Sequence, residues 1–326
     1  MTLPENPVKI LLHLSYFGDE EVATLQEIAT VYGDHQIDCV RSEEEALKLA
    51  PDIDVLMGRI TPAICLAAPK LRWVQADGAG MDKALTPELV TREEITVTNM
   101  AGLYAVQVSE HVWALLLALA RGIGTTAVHQ QEGLWKQPTV VELKGSVLAI
   151  IGMGGLGSHI AQRALGFDMT VLGIDPVRTD CPEGVAEMHS PTRENLHSVL
   201  ARADAVVCSC PLTAETHHMM GYAEFSSMRE TAFFINVARG GIVDETALVA
   251  ALENSDIAAA AIDVCQDEPL SSDHPLWKTP NLLITPHLAG SSPNRLRTIH
   301  RFFGEQLLRY LSGEQLHNVV DTKRGF

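Results

Sequence analysis

Short apolar runs alternate along the whole chain with longer stretches in which apolar residues recur every three or four positions. Residues 8–14, 55–58, 73–76 and 95–99 have the length and apolarity of strands, and 20–32 and 42–49 carry the helical repeat between them. A second series begins at Ser146, with strand-like runs at 147–152, 169–174, 205–209, 233–237, 259–264 and 282–285, each followed by a helix or a loop. This alternation predicts parallel βα units and therefore an α/β fold. Six strands in the second series is the number that two mononucleotide-binding halves require, as in a doubly wound sheet. Between the two series, residues 105–121 carry Val108, Val112, Leu115, Leu116 and Leu119 at helical spacing. They predict one long packed helix, ended by Gly122 and Gly124. A final helix is expected at about 295–311. No repeat, low-complexity tract or Gly/Ser linker interrupts the pattern, so the domain crossings are expected to be compact, near Ala101 and Ala289.

The run 148–151 leads directly into Gly152-Met153-Gly154-Gly155-Leu156-Gly157, with a helix expected from Ser158. A buried strand entering Gly-x-Gly-x-x-Gly is the arrangement that binds a dinucleotide. The glycines allow a tight turn, close approach of backbone to pyrophosphate, and close helix-to-strand packing. The helix N-terminus adds unpaired N–H groups and partial positive charge. Glycine clusters also mark ordinary turns, so context decides. The next predicted strand ends in Asp175, eighteen residues after Gly157. A carboxylate there would accept from both ribose hydroxyls of NAD and repel the 2′-phosphate of NADP, so NAD is expected over NADP. Arg178 is the counter-signal, because it could reach a 2′-phosphate if its loop folded back.

Three later segments each place polar residues just past a predicted strand, the edge of an open α/β sheet where ligands bind. They are Asn236 to Glu245 with Arg239, Ile262 to Leu270 with Asp263 and Glu268, and Ile284 to Gly290 with His287. Taken singly, Arg239 is a surface cation, Glu268 a turn residue before Pro269, and His287 a loop histidine after Pro286. Taken together they match a definite chemistry. Hydride transfer at a carbon bearing oxygen needs a group that titrates near neutrality to move the proton. A carboxylate beside that histidine favours its charged form. An arginine fork fixes a carboxylate and with it the face presented to the hydride.

Composition narrows the classes further. The 326 residues are enough for about two domains, and 46% are hydrophobic, ample for buried cores. A net charge of −17 argues against nucleic-acid binding and against attraction to anionic membranes. The segment 1–9 is polar and proline-broken and the apolar run 10–14 is short, so no signal peptide is expected. The longest apolar run, 112–120, is too short to span a bilayer. A soluble, cytoplasmic protein is the expectation. The six cysteines, Cys39, Cys65, Cys181, Cys208, Cys210 and Cys265, suggest no disulfide framework. Cys208 and Cys210 are expected as buried thiols facing one side, and no metal site is expected.

With these motifs in order, the sequence resembles the D-isomer-specific 2-hydroxyacid dehydrogenases over essentially its whole length. The likeness includes the glycine loop with Asp175, the segment Cys210-Pro211-Leu212-Thr213-Ala214-Glu215-Thr216, and the three segments above. It also includes Gly78-Ala79-Gly80-Met81-Asp82 and Val108-Ser109-Glu110-His111. The resemblance implies a Rossmann-type doubly wound NAD-binding domain, residues 101–288, inserted into a smaller flavodoxin-like substrate domain built from 1–100 and 289–326. It implies cofactor contacts at Gly152, Gly154, Gly155, Leu156, Gly157, Asp175, Pro211, Thr216, Ala238, Asp263 and His287, with Asp263 on the nicotinamide carboxamide. Arg239 would bind the substrate carboxylate, His287 would exchange the proton and Glu268 would orient it. Arg59, Ala79 and Gly80 would add substrate contacts, and closure of the domains would clamp the substrate. A homodimer is also implied, embraced through the long helix and residues 122–143.

Departures from the family pattern narrow the substrate. Phosphoglycerate dehydrogenases of this family usually carry an arginine where Ala76 stands, here beside Asp77. Phosphite-oxidising relatives place a lysine where Ala79 stands, and formate dehydrogenases pair their histidine with glutamine where Glu268 stands. The sequence ends at Phe326, so no C-terminal regulatory domain is expected. The expectation is an oxidoreductase for a small unphosphorylated 2-hydroxy or 2-keto acid such as glyoxylate, hydroxypyruvate or pyruvate. The alternative is an NAD(H)-sensing corepressor-like binding protein on the same fold. The absence of peptide-recruiting extensions and basic partner surfaces counts against it. His13, His129, His217, His218 and His300 have no spacing that argues chemistry. Trp135 and Trp277 are expected to pack, and Tyr104 is a weaker candidate for the cleft.

Overall fold

In a computed structural model, residues 6–326 are described. Residues 1–5, part of the polar opening from which no signal peptide is expected, lie outside the described residues. The chain forms two compact units. One contains the residues up to 103 together with 292–326, and the other contains 104–291.

The first unit runs β1 (Lys9–His13), α1 (Asp19–Tyr32), β2 (Gln36–Val40), α2 (Glu43–Leu49), β3 (Val55–Gly58), α3 (Pro62–Ala67), β4 (Trp73–Ala76), α4 (Pro87–Val90) and β5 (Thr96–Thr98). Its sheet is parallel in the order β2-β1-β3-β4-β5, the flavodoxin-like order. Strands β3 and β4 are buried at every position, which is why they read as apolar runs, broken in β4 only by Gln75. β2 escapes the apolar pattern because it is an edge strand, mostly exposed, with the sequence Gln-Ile-Asp-Cys-Val. Helix α2 starts where Ser42 and Glu45 cap each other's backbone N–H groups.

The second unit opens with α5 (Ala105–Ala120) and α6 (Ile123–Gln131). Gly122, at φ +62°, ends the long helix as expected. Gly124 does not stop the chain but lies inside α6, an element the apolar pattern missed because none of its residues is buried. There follow β6 (Val147–Ile151), α7 (Gly155–Ala164), β7 (Thr170–Ile174), β8 (Val185–His189), α8 (Arg193–Leu200), β9 (Ala205–Cys208), α9 (Tyr222–Ser226), β10 (Phe233–Asn236), α10 (Glu245–Glu253), β11 (Ala259–Ile262) and β12 (Leu282–Ile284). The seven strands are parallel in the order β12-β11-β10-β9-β6-β7-β8. The sheet therefore has seven strands where six are expected. The addition is β8, again an edge strand, whose pairing with β7 is irregular and whose last three residues are only half-buried. The direction of winding reverses between β6 and β9, which makes their C-terminal ends the crevice of a doubly wound fold.

The last helix, α11 (Arg295–Ser312), belongs to the first unit, where it packs against α1. A buried polar chain joins the two ends of the sequence there. Trp73 Nε1–H donates to Thr98 Oγ1 (2.8 Å), whose hydroxyl donates to Gln75 Oε1 (2.7 Å). Gln306 on α11 donates to the same Gln75 oxygen (3.1 Å) and to His317 O (2.8 Å), and accepts from His317 N–H (2.9 Å). Each buried polar atom in this chain finds a partner, as burial demands. Among the described residues no single helix is long and apolar enough to cross a membrane.

Candidate active site

Parallel strands deliver the candidate residues that follow β6, β7, β10, β11 and β12 to one edge of the second unit's sheet. Gly152 follows β6, Asp175 follows β7, Arg239 lies past β10, Asp263 follows β11, and Thr285 to His287 follow β12.

The glycine loop is shaped by two kinds of close approach. Gly152 sits at φ +100°, and a Cβ there would lie 2.6 Å from the backbone nitrogen of Cys210. A Cβ on Gly157 would lie 2.1 Å from Gly152 O. Those two glycines serve packing within the chain, since any side chain would strike backbone. Gly154 is different. It caps α7 in extended conformation, it is exposed, and a Cβ there meets nothing within 4 Å. The space outside Gly154, Gly155 and the half-buried Leu156 is open to a ligand at a helix N-terminus, where an anion is favoured. The loop therefore fits a pyrophosphate.

Asp175 faces this loop. Its Oδ2 accepts from Met153 N–H (2.8 Å), and its Oδ1 accepts from the N–H groups of Val177 and Arg178 (2.8 Å each). The loop after Asp175 does fold back. Arg178 Nη1 donates to Ser158 Oγ (2.7 Å) and Met153 O (3.2 Å), so a guanidinium as well as a carboxylate stands beside the glycines. Further round, Cys208 and Cys210 are buried in one hydrophobic cluster as expected, and burial pushes the Cys210 thiol up to about 12. Thr216 Oγ1 donates to Pro211 O (2.7 Å) and accepts from Thr213 N–H (2.8 Å). Both candidate cofactor residues of that segment thus belong to one self-bonded loop.

Past β10, Ala238 is buried and Asn236 fixes the turn, donating to Arg239 O (2.9 Å) and accepting from Ala238 N–H (3.1 Å). Arg239 is half-buried, and its Nη1 donates to Ala238 O (2.7 Å). The next residue explains the placement of this turn. A Cβ on Gly240 would lie 1.9 Å from the carbonyl carbon of Cys265. Only glycine lets the Arg239 turn press against the segment that carries Glu268.

Glu268 and His287 meet. Their carboxylate Oε2 and ring Nδ1 are 2.6 Å apart, with the side chains 31% and 49% exposed, so the pair is reachable from solvent. Glu268 Oε1 accepts from Cys265 N–H (3.0 Å), which anchors the acid to its own turn. A carboxylate only accepts, so Nδ1 carries the proton of this bond and Nε2 is the atom left to exchange one.

Asp263 is 1% exposed and its carboxylate is heavily used. Oδ1 accepts from Thr285 Oγ1 (2.6 Å) and Leu288 N–H (2.9 Å), and Oδ2 accepts from Ala289 N–H (2.9 Å). His111 on α5 approaches with Nε2 3.5 Å from Oδ1 and 3.0 Å from Thr285 Oγ1. Burial alone would push this carboxyl up. The close approach of His111 and the bonds from Thr285, Ala289 and Leu288 outweigh it and hold it below the usual carboxylate range. In the structure Asp263 also anchors residues 285–289. His111 and Thr285 received no individual role from the sequence. Both lie inside motifs quoted above, but nothing in the spacing shows that a residue on α5 meets one 174 positions later.

In the first unit, Arg59 is exposed just past β3, with its backbone tied to His13. Arg59 N–H donates to His13 O (2.9 Å), and Arg59 O lies 2.8 Å from His13 Nδ1. Ala79 and Gly80 are exposed past β4, and their loop is held through its carbonyls. Met100 N–H donates to Gly78 O (3.0 Å) and Asn99 Nδ2 to Ala79 O (2.8 Å). Tyr104 lies at the start of α5. The expectation that Trp135 and Trp277 pack is not met. Both are exposed, Trp135 fully so, because they sit on irregular or 3-10 segments and not on a core face. Among the described residues no cluster of three His, Cys, Asp or Glu could hold a metal ion.

Residues 113–289 match the family model for the NAD-binding domain of D-isomer specific 2-hydroxyacid dehydrogenases. A glyoxylate reductase of Korarchaeum cryptofilum is 33% identical over 293 residues, 86% of this chain and 87% of the relative. A D-3-phosphoglycerate dehydrogenase of Methanocaldococcus jannaschii is 32% identical over 321 residues, which are 96% of this chain but 59% of that longer relative. Among solved structures, a D-isomer specific 2-hydroxyacid dehydrogenase family protein of Aeromonas salmonicida matches with a TM-score of 0.80 and 30% identity, over 97% of this chain and 100% of the other. An NADPH-dependent glyoxylate/hydroxypyruvate reductase of Sinorhizobium meliloti, in complex with NADP and sulfate, matches with a TM-score of 0.83 and 26% identity, over 98% and 100%. The chain belongs to the D-isomer-specific 2-hydroxyacid dehydrogenase family, with a Rossmann-type NAD-binding domain.

The open space at Gly154 gives a direct test of where the pyrophosphate lies. Replacing Gly154 with Ala adds a methyl that touches nothing in the protein, so stability should fall only by the capping difference, under about 1 kcal/mol. NADH affinity, titrated by fluorescence, should weaken by roughly tenfold or more, since the methyl stands where backbone must approach phosphate. Unchanged affinity would place the pyrophosphate elsewhere.

Proposed function

We propose that this chain is an NAD(H)-dependent oxidoreductase that interconverts a small, unphosphorylated D-2-hydroxy acid and its 2-keto acid. The observation that carries the proposal is the 2.6 Å pairing of Glu268 with His287, in the same unit as the glycine loop and the Arg239 turn. When bound, the nicotinamide supplies a hydride to C2 in reduction or takes one from it in oxidation. In reduction, Arg239 binds the substrate carboxylate as a fork and fixes which face of C2 is presented. His287 gives its Nε2 proton to the 2-oxygen as negative charge develops there. Glu268 keeps its bond to Nδ1–H throughout and holds the ring in one tautomer. Oxidation reverses each step, with His287 taking the proton. Arg59 and the Ala79–Gly80 backbone are proposed as further substrate contacts of the first unit.

Glyoxylate and hydroxypyruvate are the leading substrates. Relatives named glyoxylate reductase and glyoxylate/hydroxypyruvate reductase B support them. Relatives named D-3-phosphoglycerate dehydrogenase point to a phosphorylated acid, but Ala76 is buried, uncharged and followed by Asp77, a poor setting for a phosphate. We further propose that this chain forms a homodimer through 122–143, where Ile123, Val128, Leu134, Trp135 and Val140 are all exposed in the single chain.

His287→Ala should lower kcat for keto-acid reduction by roughly 10²–10⁴-fold, the usual worth of general acid–base catalysis. Arg239→Ala removes a charge-assisted contact of about 1.5–3 kcal/mol, so kcat/KM should fall at least about tenfold. A His287→Ala enzyme with near-normal kcat would end this assignment. For the cofactor, Asp175 argues for NAD, so kcat/KM with NADH should exceed that with NADPH by about tenfold or more. The reverse ratio would make Arg178 the deciding residue. Sedimentation at micromolar concentration should give twice the 35.4 kDa chain mass, and a monomer there would refute the dimer.

A further inference from the structure

His111 lies on α5, far in sequence from the site, with a side chain only 14% exposed. Its Nε2 is 3.0 Å from Thr285 Oγ1. The hydrogen-bond inventory fixes the direction of this contact. Thr285 has one hydroxyl proton, and the Asp263 carboxylate 2.6 Å away can only accept it. Thr285 Oγ1 must therefore accept from His111, whose Nε2 carries the proton. The chain of bonds runs from His111 to Thr285 to Asp263, and from the Asp263 carboxylate to the N–H groups of Leu288 and Ala289. The Asp263 main-chain oxygen closes it by accepting from His287 N–H (2.8 Å).

His287 needs such support. It is held at φ +50°, in the left-handed region that a residue with a side chain enters only under constraint from its surroundings. Its ring must also stay within bonding distance of Glu268. Residues 285–289 have no strand or helix of their own to hold them, and the bonds to Asp263 take that part. A helix-face histidine that only filled space would make no directional bond, and a leucine would serve as well.

We propose that His111 is a positioning residue for the proton-exchanging histidine. Its Nε2–H orients the Thr285 hydroxyl, the hydroxyl fixes the Asp263 carboxylate, and the carboxylate and main-chain oxygen of Asp263 together fix residues 287–289. His111 touches neither substrate nor cofactor in this role and need not change its charge. The inference rests on the reading of His287 as the proton donor and acceptor.

The test compares His111→Leu with His111→Gln in steady-state reduction of glyoxylate or hydroxypyruvate by NADH, with kcat referred to folded enzyme by thermal melting. The glutamine amide can place a donor where Nε2 stands, and leucine cannot. The leucine variant should lose kcat by about tenfold, the scale of one lost hydrogen bond at a buried polar group, with the keto-acid KM within about threefold of wild type. The glutamine variant should return kcat to within about threefold. Thr285→Val breaks the same chain from the other side and should reproduce the leucine result, and the double variant should be no worse than either single one. The proposal is overturned if His111→Leu keeps wild-type kcat, if leucine and glutamine lose equally, if the loss lies in KM alone, or if it follows the folded fraction. Should His111→Leu fail to fold, the Thr285→Val and Thr285→Ser pair decides, with serine expected to restore the hydroxyl and the rate. His287→Ala in the same assay separates the two readings. An active His287→Ala ends the acid–base assignment itself, whereas an inactive one beside a fully active His111→Leu ends only the positioning role.

Discussion

Asp263 is a carboxylate in a place where a carboxylate is costly. Moving an ionised group out of water is strongly unfavourable unless hydrogen bonds replace the lost hydration. The chain supplies them from one short stretch and one helix. Thr285, Leu288 and Ala289 bond to the two oxygens, and His111 approaches from α5. Because those donors lie on both sides of His287, satisfying the buried charge also fixes the segment that presents the imidazole. The Glu268–His287 pair is thus a consequence of an interaction deeper in the protein.

The second constraint is distance between backbones. Gly240 lets the turn after β10 press on Cys265, and Gly157 lets α7 press on the loop after β6. Each removes the one or two ångströms that a side chain would add. In the first case the result brings the Arg239 turn against the Glu268 segment, and in the second it leaves the N-terminus of α7 facing an open space at Gly154. These are placements that no side-chain bond could produce alone, since backbone spacing in a packed sheet does not yield by ångströms. The mouth of the glycine loop is then flanked by opposite charges, Asp175 and Arg178. A carboxylate with three backbone donors and a guanidinium bonded across the loop thus stand side by side there.

Much of this was legible in the sequence, and for local reasons. Central strands buried on both faces are mostly apolar runs, so β3, β6 and β9 stand out from residue type alone, and β4 and β10 do so despite one polar residue each, Gln75 and Asn236. The glycine loop is a contiguous motif, and the positions of Arg239, Glu268 and His287 follow from parallel strands placing their C-terminal ends on one edge. Among the elements that escaped, β2, β8 and α6 are edge or surface elements with little buried area, so no apolar pattern marks them, and α3 and α4 are too short, at six and four residues, to show a helical repeat. Trp135 misleads for the converse reason, because a large apolar side chain predicts burial only on average.

What the sequence determined by itself is the kind of protein: two α/β units, a dinucleotide loop, and the residue types that hydride transfer beside a carboxylate needs. What only the tertiary structure decided is which groups share bonds. That Asp263 spends its oxygens on residues 285–289, that His111 closes the chain of donors from a helix 174 residues away from Thr285, and that Arg178 folds back onto Ser158 are facts of distance across the fold. Hydrogen-bond satisfaction in a buried site is settled by which atoms fall within about 3 Å of one another. Residues far apart in the chain acquire that relation only when the sheet and its helices are in place.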